Sequence, residues 1–384
     1  MKVLIITSWY PSRNNPVSGL FVKRFAEAIS LYDQVIVFHA TPQKIKGIYE
    51  VSMEDEGNIK VIRLKCSNFR MSFLSFVICT LLSFIWLSKN WKKFSPDILH
   101  AHVYTSGLLA VVLGKVYNIP VVITEHVEII DKYKKYKFRK IRDFVKVVLA
   151  RLVLNNASTL VLVSKSLRRH VESFGIFNKC EVIPNVINID IPIKVNYIKK
   201  DKKDKKRIIF IGILTPRKGV DYLLEAVRIL RNIRNDFIVD IVGDGPYFET
   251  YKSRAIELGI IDVVRFHGRV DEDTKLKLLQ ESDFLVLPSL YETFGVVLIE
   301  AMALGKPVVT TSSGGQKEFV DEKVGVLIPP KDAKALAKAI GYMLDRPYIY
   351  PPKLIADRTR RKFNYKTVGK QIVAIHRALN KKVK

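Results

Sequence analysis

The sequence predicts an α/β protein of two doubly wound parallel-sheet domains facing a central cleft. Three observations predict it. Short apolar runs alternate with helix-spaced stretches along the whole chain, the alternation breaks at one long run of charge, and it then resumes. At 384 residues, 48% of them hydrophobic, the chain exceeds one ordinary domain and gives each half enough apolar surface for a core.

In the first half, Val3–Thr7 is a short apolar run of the kind a buried parallel strand needs. Gly19–Ile29 follows with helical spacing in Leu20, Phe21, Phe25 and Ile29. Val35–His39, Asp97–His100, Val121–Thr124 and Thr159–Val163 repeat the strand theme. Residues 199–207 (KKDKKDKKR) then carry seven basic and two acidic residues and nothing apolar, which reads as a solvated linker. This sets a first domain at 1–198, a linker at 199–207 and a second domain at 208–362, with a terminal helix at 363–384 available to pack back on the first domain. The second half restarts with a strand at Ile208–Ile211 and a helix at Asp221–Ile233. Strands follow at Ile238–Val242, Val263–Phe266, Phe284–Leu287 and Pro307–Thr310. Alternation of this kind makes βαβ units, and such sheets bind ligands at the carboxyl ends of their strands, where helix N-termini offer free amides.

The net charge of +27 favours anionic partners. No nucleic-acid recognition motif accompanies it, so nucleic acid is not expected, which leaves phosphorylated small molecules and anionic lipid. Cys66, Cys79 and Cys180 are odd in number and far apart, which predicts free thiols in a reducing cytoplasm. The opening MKVLIITSWYP has too short an apolar run for a secretory signal.

Two stretches bear on a membrane. Residues 71–88 (MSFLSFVICTLLSFIWLS) lack any charge, and a helix there gathers Ser72, Ser75, Cys79 and Ser83 on one narrow face. Continuation of the βαβ pattern on both sides argues against a span. Residues 132–151 hold nine basic residues against Asp143 alone, with Tyr133, Tyr136, Phe138, Ile141 and Phe144 interleaved. A basic amphipathic helix with aromatics suits an anionic bilayer surface. A cytoplasmic protein with peripheral contact to the inner face of a membrane is the corresponding expectation.

The stretch richest in chemistry is LVLPSLYETFGVVLIEAMALGKPVV, from Leu285 to Val309. A strand ends at Pro288, a polar loop carries Ser289, Tyr291, Glu292 and Thr293, and Gly295 opens an apolar helix. This strand, loop and helix would let a diphosphate approach the bare amides of Gly295, Val296 and Val297. Glu300 lies inside that helix among apolar residues and requires a partner. Asp271, Glu272 and Asp273 form an Asp-x-Asp string, but it precedes a helix and reads as a cap, so no metal is expected.

The two glutamates, with seven residues between them in PSLYETFGVVLIEAMALGKPV, resemble the hallmark of retaining glycosyltransferase family 4. That resemblance implies the GT-B fold of two Rossmann-like domains, and a nucleotide diphosphate sugar as donor with no metal or other cofactor. It implies that Glu292 contacts the donor sugar, that Glu300 contacts the ribose, and that the amides after Phe294 hold phosphate. FIGILTPRKGVDYLLEA resembles the family's strand, basic loop and helix, which implies that Lys218 holds the diphosphate with help from Arg217, beside Gly212. The family often has Arg directly after that glycine, where this chain has Ile213; either Arg217 replaces it or donor binding is weaker. VGDGP with Gly243, and Phe266–Val270 with Gly268, resemble the strand ends near the nucleotide. SSGGQKEFV and GVLIPPKD complete the second half.

In the first half, SWYPSRNNPVSGLFVKRFAEAI, with Gly19 near the donor phosphate, PDILHAHVYTSG and VIPNVIN resemble family segments more loosely. VITEH ends in His126, where relatives carry a histidine near the transferred sugar. Retaining transfer to a glycan or lipid-linked acceptor is the implied reaction. A GT-B sugar-nucleotide epimerase, and a non-catalytic membrane or polyanion binder, are the competing readings.

Overall fold

The computed structural model describes all residues except 14, 68–71, 131–138, 189–204, 347–348 and 384. Tyr133, Tyr136, Phe138 and most of the charge run at 199–207 therefore lie outside the described residues. The chain divides into two compact units, Met1–Val186 with Asn364–Lys384, and Ile187–Phe363.

The first unit runs β1 (Lys2–Thr7), α1 (Leu20–Ser30), β2 (Gln34–Gln43), β3 (Tyr49–Glu56), β4 (Ile59–Ser67), α2 (Ser72–Lys89), α3 (Trp91–Phe94), β5 (Ile98–His102), α4 (Tyr104–Tyr117), β6 (Val121–Glu125), α5 (Arg139–Asn155), β7 (Thr159–Leu162), α6 (Lys165–Glu172) and β8 (Cys180–Val182). Its sheet has the order β3-β4-β2-β1-β5-β6-β7-β8 and is parallel except for β3. The β3–β4 hairpin is an element the sequence reading omits. Its register pairs Tyr49 with Cys66 through Glu56 with Ile59 at the sheet edge, and β3 is mostly exposed, so no apolar run marks it.

The second unit runs β9 (Lys206–Ile211), α7 (Val220–Arg231), β10 (Phe237–Val242), α8 (Phe248–Glu257), β11 (Val264–Gly268), α9 (Glu272–Glu281), β12 (Phe284–Leu287), α10 (Val296–Ala303), β13 (Val308–Thr311), β14 (Gly325–Ile328), α11 (Ala333–Asp345) and α12 (Pro352–Phe363). Its all-parallel sheet has the order β11-β10-β9-β12-β13-β14. The strand order reverses between β9 and β12, so the β9–α7 and β12–α10 loops emerge side by side at the switch point where such sheets bind ligands. The last helix, α13 (Tyr365–Val383), belongs to the first unit. Val368, Ile372 and Val373 join Phe25, Ala28 and Ile29 of α1 in its core, and a Cβ on Gly369 would come within 2.3 Å of the Ala28 carbonyl oxygen.

Two expectations need correction. Cys66 and Cys79 form a disulfide, with Cα atoms 5.7 Å apart. Only the packing of α2 on β4 brings them together, which an odd cysteine count cannot reveal; the inference from free thiols to a reducing compartment loses its support. Lys206 and Arg207 are strand residues rather than linker. Arg207 is tolerated there because its guanidinium pairs with the buried Asp240 at 2.9 Å and with Glu281. Helix α2, whose orientation the sequence leaves open, is turned inside out relative to an ordinary amphipathic helix: Ser75, Cys79 and Ser83 are buried, whereas Phe73, Val77, Leu81 and Ile85 are exposed. The Ser83 hydroxyl donates to the Cys79 carbonyl at 2.6 Å, so this inward hydroxyl is satisfied within the helix.

Candidate active site

In the second unit the site is built from loop backbones that touch where a side chain would not fit. A Cβ on Gly243 would sit 1.9 Å from the Gly212 carbonyl oxygen, and one on Gly219 (φ 71°) 2.1 Å from that of Pro288. These contacts lock the ends of β9, β10 and β12 together. The Gly212 amide donates to the Val242 carbonyl at 3.0 Å, and the Gly243 amide to that of Gly268 at 2.8 Å. The Leu290 amide donates to the Arg217 carbonyl at 2.7 Å, tying the β12–α10 loop to the basic turn.

That turn, Pro216–Lys218, is a single 3₁₀ segment. The methylenes of Lys218 pass 3.7 Å from where a Cβ on Gly212 would lie, an ordinary van der Waals distance. The ammonium reaches Glu292 Oε1 at 2.5 Å, and the Ser289 hydroxyl donates to the same oxygen at 2.7 Å. Burial pushes the Glu292 carboxyl up, but the charges of Lys218 and Arg217 and the bonds from Lys218 and Ser289 outweigh it, so its pKa lies below the usual carboxylate value. A buried carboxylate is thus kept ionised by neighbours from two loops. Its backbone is held as firmly: the Gly315 amide donates to the Glu292 carbonyl at 2.8 Å, and a Cβ on Gly314 would fall 2.1 Å from that oxygen. Sequence reasoning places Gly314 in a matching loop but misses this function.

Gly295 caps α10 in a left-handed conformation (φ 91°, ψ 63°) that favours glycine. The Leu298 amide already donates to the Gly295 carbonyl at 3.0 Å, and helix geometry leaves the preceding amides of Val296 and Val297 facing out of the helix end. The Phe294 side chain is not part of the site. It packs with Phe319 and Phe363 at ring separations of 5.0 and 5.8 Å, so only its backbone borders the loop. Glu300 pairs with Lys275 of α9 at 3.1 Å, a partner sequence reasoning missed because α9 lies 25 residues away. Asp271 caps α9 by accepting from the Thr274 amide at 2.7 Å. Among the described residues no group of His, Cys, Asp or Glu is arranged to hold a metal. Ile213 is 65% exposed.

In the first unit His126 follows β6 and is buried. Its Nε2 lies 2.9 Å from Nδ1 of His102, and the two rings stack. His102 stacks in turn on His100, whose Nδ1 lies 3.2 Å from Nε2 of His376 on α13. Phe21 of α1 covers the His126 ring at 4.3 Å. Burial drives the His126 pKa down to about 3, against the nearby buried Asn185 side chain, whose amide oxygen favours the protonated ring. The imidazole is therefore neutral near pH 7. Beside it the fully buried Glu125 accepts from the amides of Tyr104 (2.9 Å), His126 (3.0 Å) and Val127 (3.2 Å). Burial outweighs these bonds and lifts its pKa to about 7. Val103 makes this possible by adopting φ 70°, rare for a β-branched residue, which turns the Tyr104 amide toward Glu125. VITEH signalled His126, and PDILHAHVYTSG and VIPNVIN contain His102 and Asn185 without singling them out; His376 carried no signal. Gly19 caps α1 at φ 69°, with Trp9 and Tyr10 backbone atoms within 2.5 Å of where a Cβ would be.

Comparison with known proteins agrees with this architecture. Residues 195–366 match the family described as Glycosyl transferases group 1, and residues 26–191 match Glycosyltransferase Family 4. An uncharacterised glycosyltransferase of Methanocaldococcus jannaschii is 37% identical over 199 residues, 48% of this chain and 50% of that protein. This match spans only half the length of that relative. The putative teichuronic acid biosynthesis glycosyltransferase TuaC of Bacillus subtilis is 28% identical over 98% of this chain and 97% of its own. Among solved structures, sucrose-phosphate synthase from Thermosynechococcus elongatus superposes with a TM-score of 0.79 at 22% identity, covering 98% of each chain. Anabaena HepE in complex with UDP superposes with a TM-score of 0.73 at 18% identity, covering 98% of this chain and 100% of that one. The chain is a GT-B protein, related over both of its halves to glycosyltransferases.

Proposed function

We propose that the chain transfers a sugar from a nucleotide diphosphate sugar to a glycan or lipid-linked acceptor, with retention of anomeric configuration, as in family 4. The observation that carries this reading is the ionised Glu292, buried against Lys218 beside the open end of α10. The hard step is cleavage of the bond between sugar and diphosphate. Lys218, Arg217 and the amides of Gly295, Val296 and Val297 would stabilise charge growing on the leaving phosphate; one such donor is worth about 10²–10³ in rate. Gly212, Gly243 and Gly268 keep the strand ends bare enough for the nucleotide to approach, and Gly19 does the same for phosphate in the first unit. Ser289 holds Glu292 in place, and Thr293 lies beside it in the same loop. Glu292 orients the sugar hydroxyls. Glu300 would exchange Lys275 for the ribose hydroxyls. His126, neutral at working pH, contributes a hydrogen bond to the sugar rather than a charge. Arg217, whose charge is felt by Glu292, supplies the cation that Ile213 cannot. No metal or other cofactor enters this scheme. The Anabaena protein's UDP supports a uridine nucleotide as the first donor to try.

The test is incubation with UDP- and GDP-sugars and lipid-linked or glycan acceptors, followed by NMR of the new linkage. An α-linked product from an α-linked donor is expected. A β-linked product would overturn retention, and donor isomerised without acceptor would identify an epimerase instead.

A further inference from the structure

The helices on one face of the first unit's sheet leave an apolar outer surface. Helix α2 packs on β2 and β4, α4 packs on β1, β5 and β6, and α4 lies between α2 and α5. The inner faces of α4 and α5 meet closely, since a Cβ on Gly107 would come within 2.8 Å of Val153. All three helices turn large apolar residues away from the sheet. On α2 these are Phe73, Val77, Leu81 and Ile85, at four-residue steps, with Phe73 at 64% and Leu81 at 57% exposure. On α4 they are Val112 and Val116. On α5 they are Ile141, Phe144, Val148 and Leu152, with Ile141 and Phe144 at 69%. A soluble domain rarely exposes so contiguous a surface without a partner. Buried polar residues make the arrangement deliberate: α2 spends Ser75, Cys79 and Ser83 on the inside, and the Cys66–Cys79 bond holds that orientation against β4.

Charge identifies the partner. Lys89, Lys92 and Lys93 are exposed at the end of α2 and on α3, and Lys115 and Arg151 are exposed on α4 and α5. Across α2, α3, α4 and α5 the only acidic residue is Asp143. Two copies meeting through this face would bring like charges together. An anionic bilayer would bury the apolar side chains at the headgroup boundary and pair the lysines with lipid phosphates. Among the described residues no helix is long and apolar enough to cross a membrane, so contact is with one leaflet. We infer that the outer face of α2, α4 and α5 is a docking surface for an anionic lipid bilayer. This conclusion does not rest on the proposed reaction.

The test is co-sedimentation of the full chain with vesicles of phosphatidylcholine alone or mixed with phosphatidylglycerol, at low and high salt. Binding to the mixed vesicles, weakened by salt and absent from phosphatidylcholine alone, is expected. Leu81→Glu and Phe144→Glu should each lower the partition constant about tenfold or more by removing one large apolar group from the lipid. Lys92→Glu with Lys93→Glu should do so through charge. Ile233→Glu, at a 78% exposed position of the second unit, should bind as the parent does. Thermal unfolding of each variant separates loss of binding from loss of fold. Equal binding to neutral and anionic vesicles, or unchanged binding by both apolar-to-Glu variants, would overturn the inference. So would a dimer in sedimentation equilibrium that Leu81→Glu dissociates, because the face would then be an interface between copies.

Discussion

Glu292 and His126 both stand just past a strand's carboxyl end, both are buried, and their electrostatics are opposite. Glu292 keeps its charge because Lys218, Arg217 and Ser289 supply what water would have supplied. His126 loses its charge to burial, because its neighbours His102, Asn185 and the ring of Phe21 supply no anion to offset it. The difference teaches that burial alone does not decide the ionisation of a site residue; the charge on its immediate partners does. One unit is thereby suited to hold an anionic leaving group next to cations, and the other to present a neutral hydrogen-bonding group.

The sharpest way to break this contrast is Lys218→Ala. Turnover should fall by about 10²–10³-fold, as for loss of one preorganised donor, in a steady-state assay of sugar transfer. The same variant strands a buried carboxylate, so chemical denaturation should show destabilisation of about 3 kcal/mol. Adding Glu292→Gln should restore part of that stability but none of the activity. If Lys218→Ala were as stable as the parent, Glu292 would not depend on that ion pair.

Removing the disulfide with Cys66→Ser and Cys79→Ser should cost about 3 kcal/mol by lengthening the free loop of the unfolded chain. Urea denaturation of the reduced and oxidised parent provides the same comparison without mutation.

Acid separates the two units. Burial lowers His39 to about 4, and His126 and His376 to about 3, from an ordinary value of 6.5. The unfolded chain binds more protons than the folded one below that value. Stability from these residues is complete above about pH 6.5 and falls as pH drops toward 3. Glu125, raised to about 7, has the opposite sign and loses stability as pH rises from about 4.5 to 7. The three histidines belong to the first unit and lose stability from about pH 6.5 downward, with Glu125 offsetting part of it, so hydrogen exchange should show that unit opening before the second as the solution is acidified.

The smallest effect expected is from His102→Phe, which removes one hydrogen bond to His126 while keeping a ring in the stack. A loss of about tenfold in kcat, with little change in KM for the donor, corresponds to one hydrogen bond. A change in KM alone would mean that His102 serves donor binding through another route.

The second unit was the more legible in sequence, for a physical reason. Its site lies on consecutive strand–loop–helix segments, so Ser289, Glu292, Gly295 and Glu300 announce themselves by spacing within one short stretch. Strand Phe284–Leu287 was read to the residue, and the cap role of Asp271 followed from its place before a helix. The histidine group of the first unit is assembled from β5, the turn after β6 and α13, so spacing carries no trace of His376. The β3–β4 hairpin and the Cys66–Cys79 bond escaped for related reasons: one is an exposed edge with a weak pattern, the other a tertiary contact. Spacing located the narrow polar face of α2 but not its direction, which is toward the sheet, the reverse of what amphipathic spacing usually means.

The central claim is that the β9–α7 and β12–α10 loops hold a nucleoside diphosphate through Lys218. A thermal-shift titration with UDP, GDP and ADP, run on the parent and on Lys218→Ala, tests it most directly. One of the three should stabilise the parent by about 2.7 kcal/mol at a hundred times its dissociation constant, and that stabilisation should largely vanish in the variant. No response from the parent to any of them, or an undiminished response from Lys218→Ala, would contradict the account.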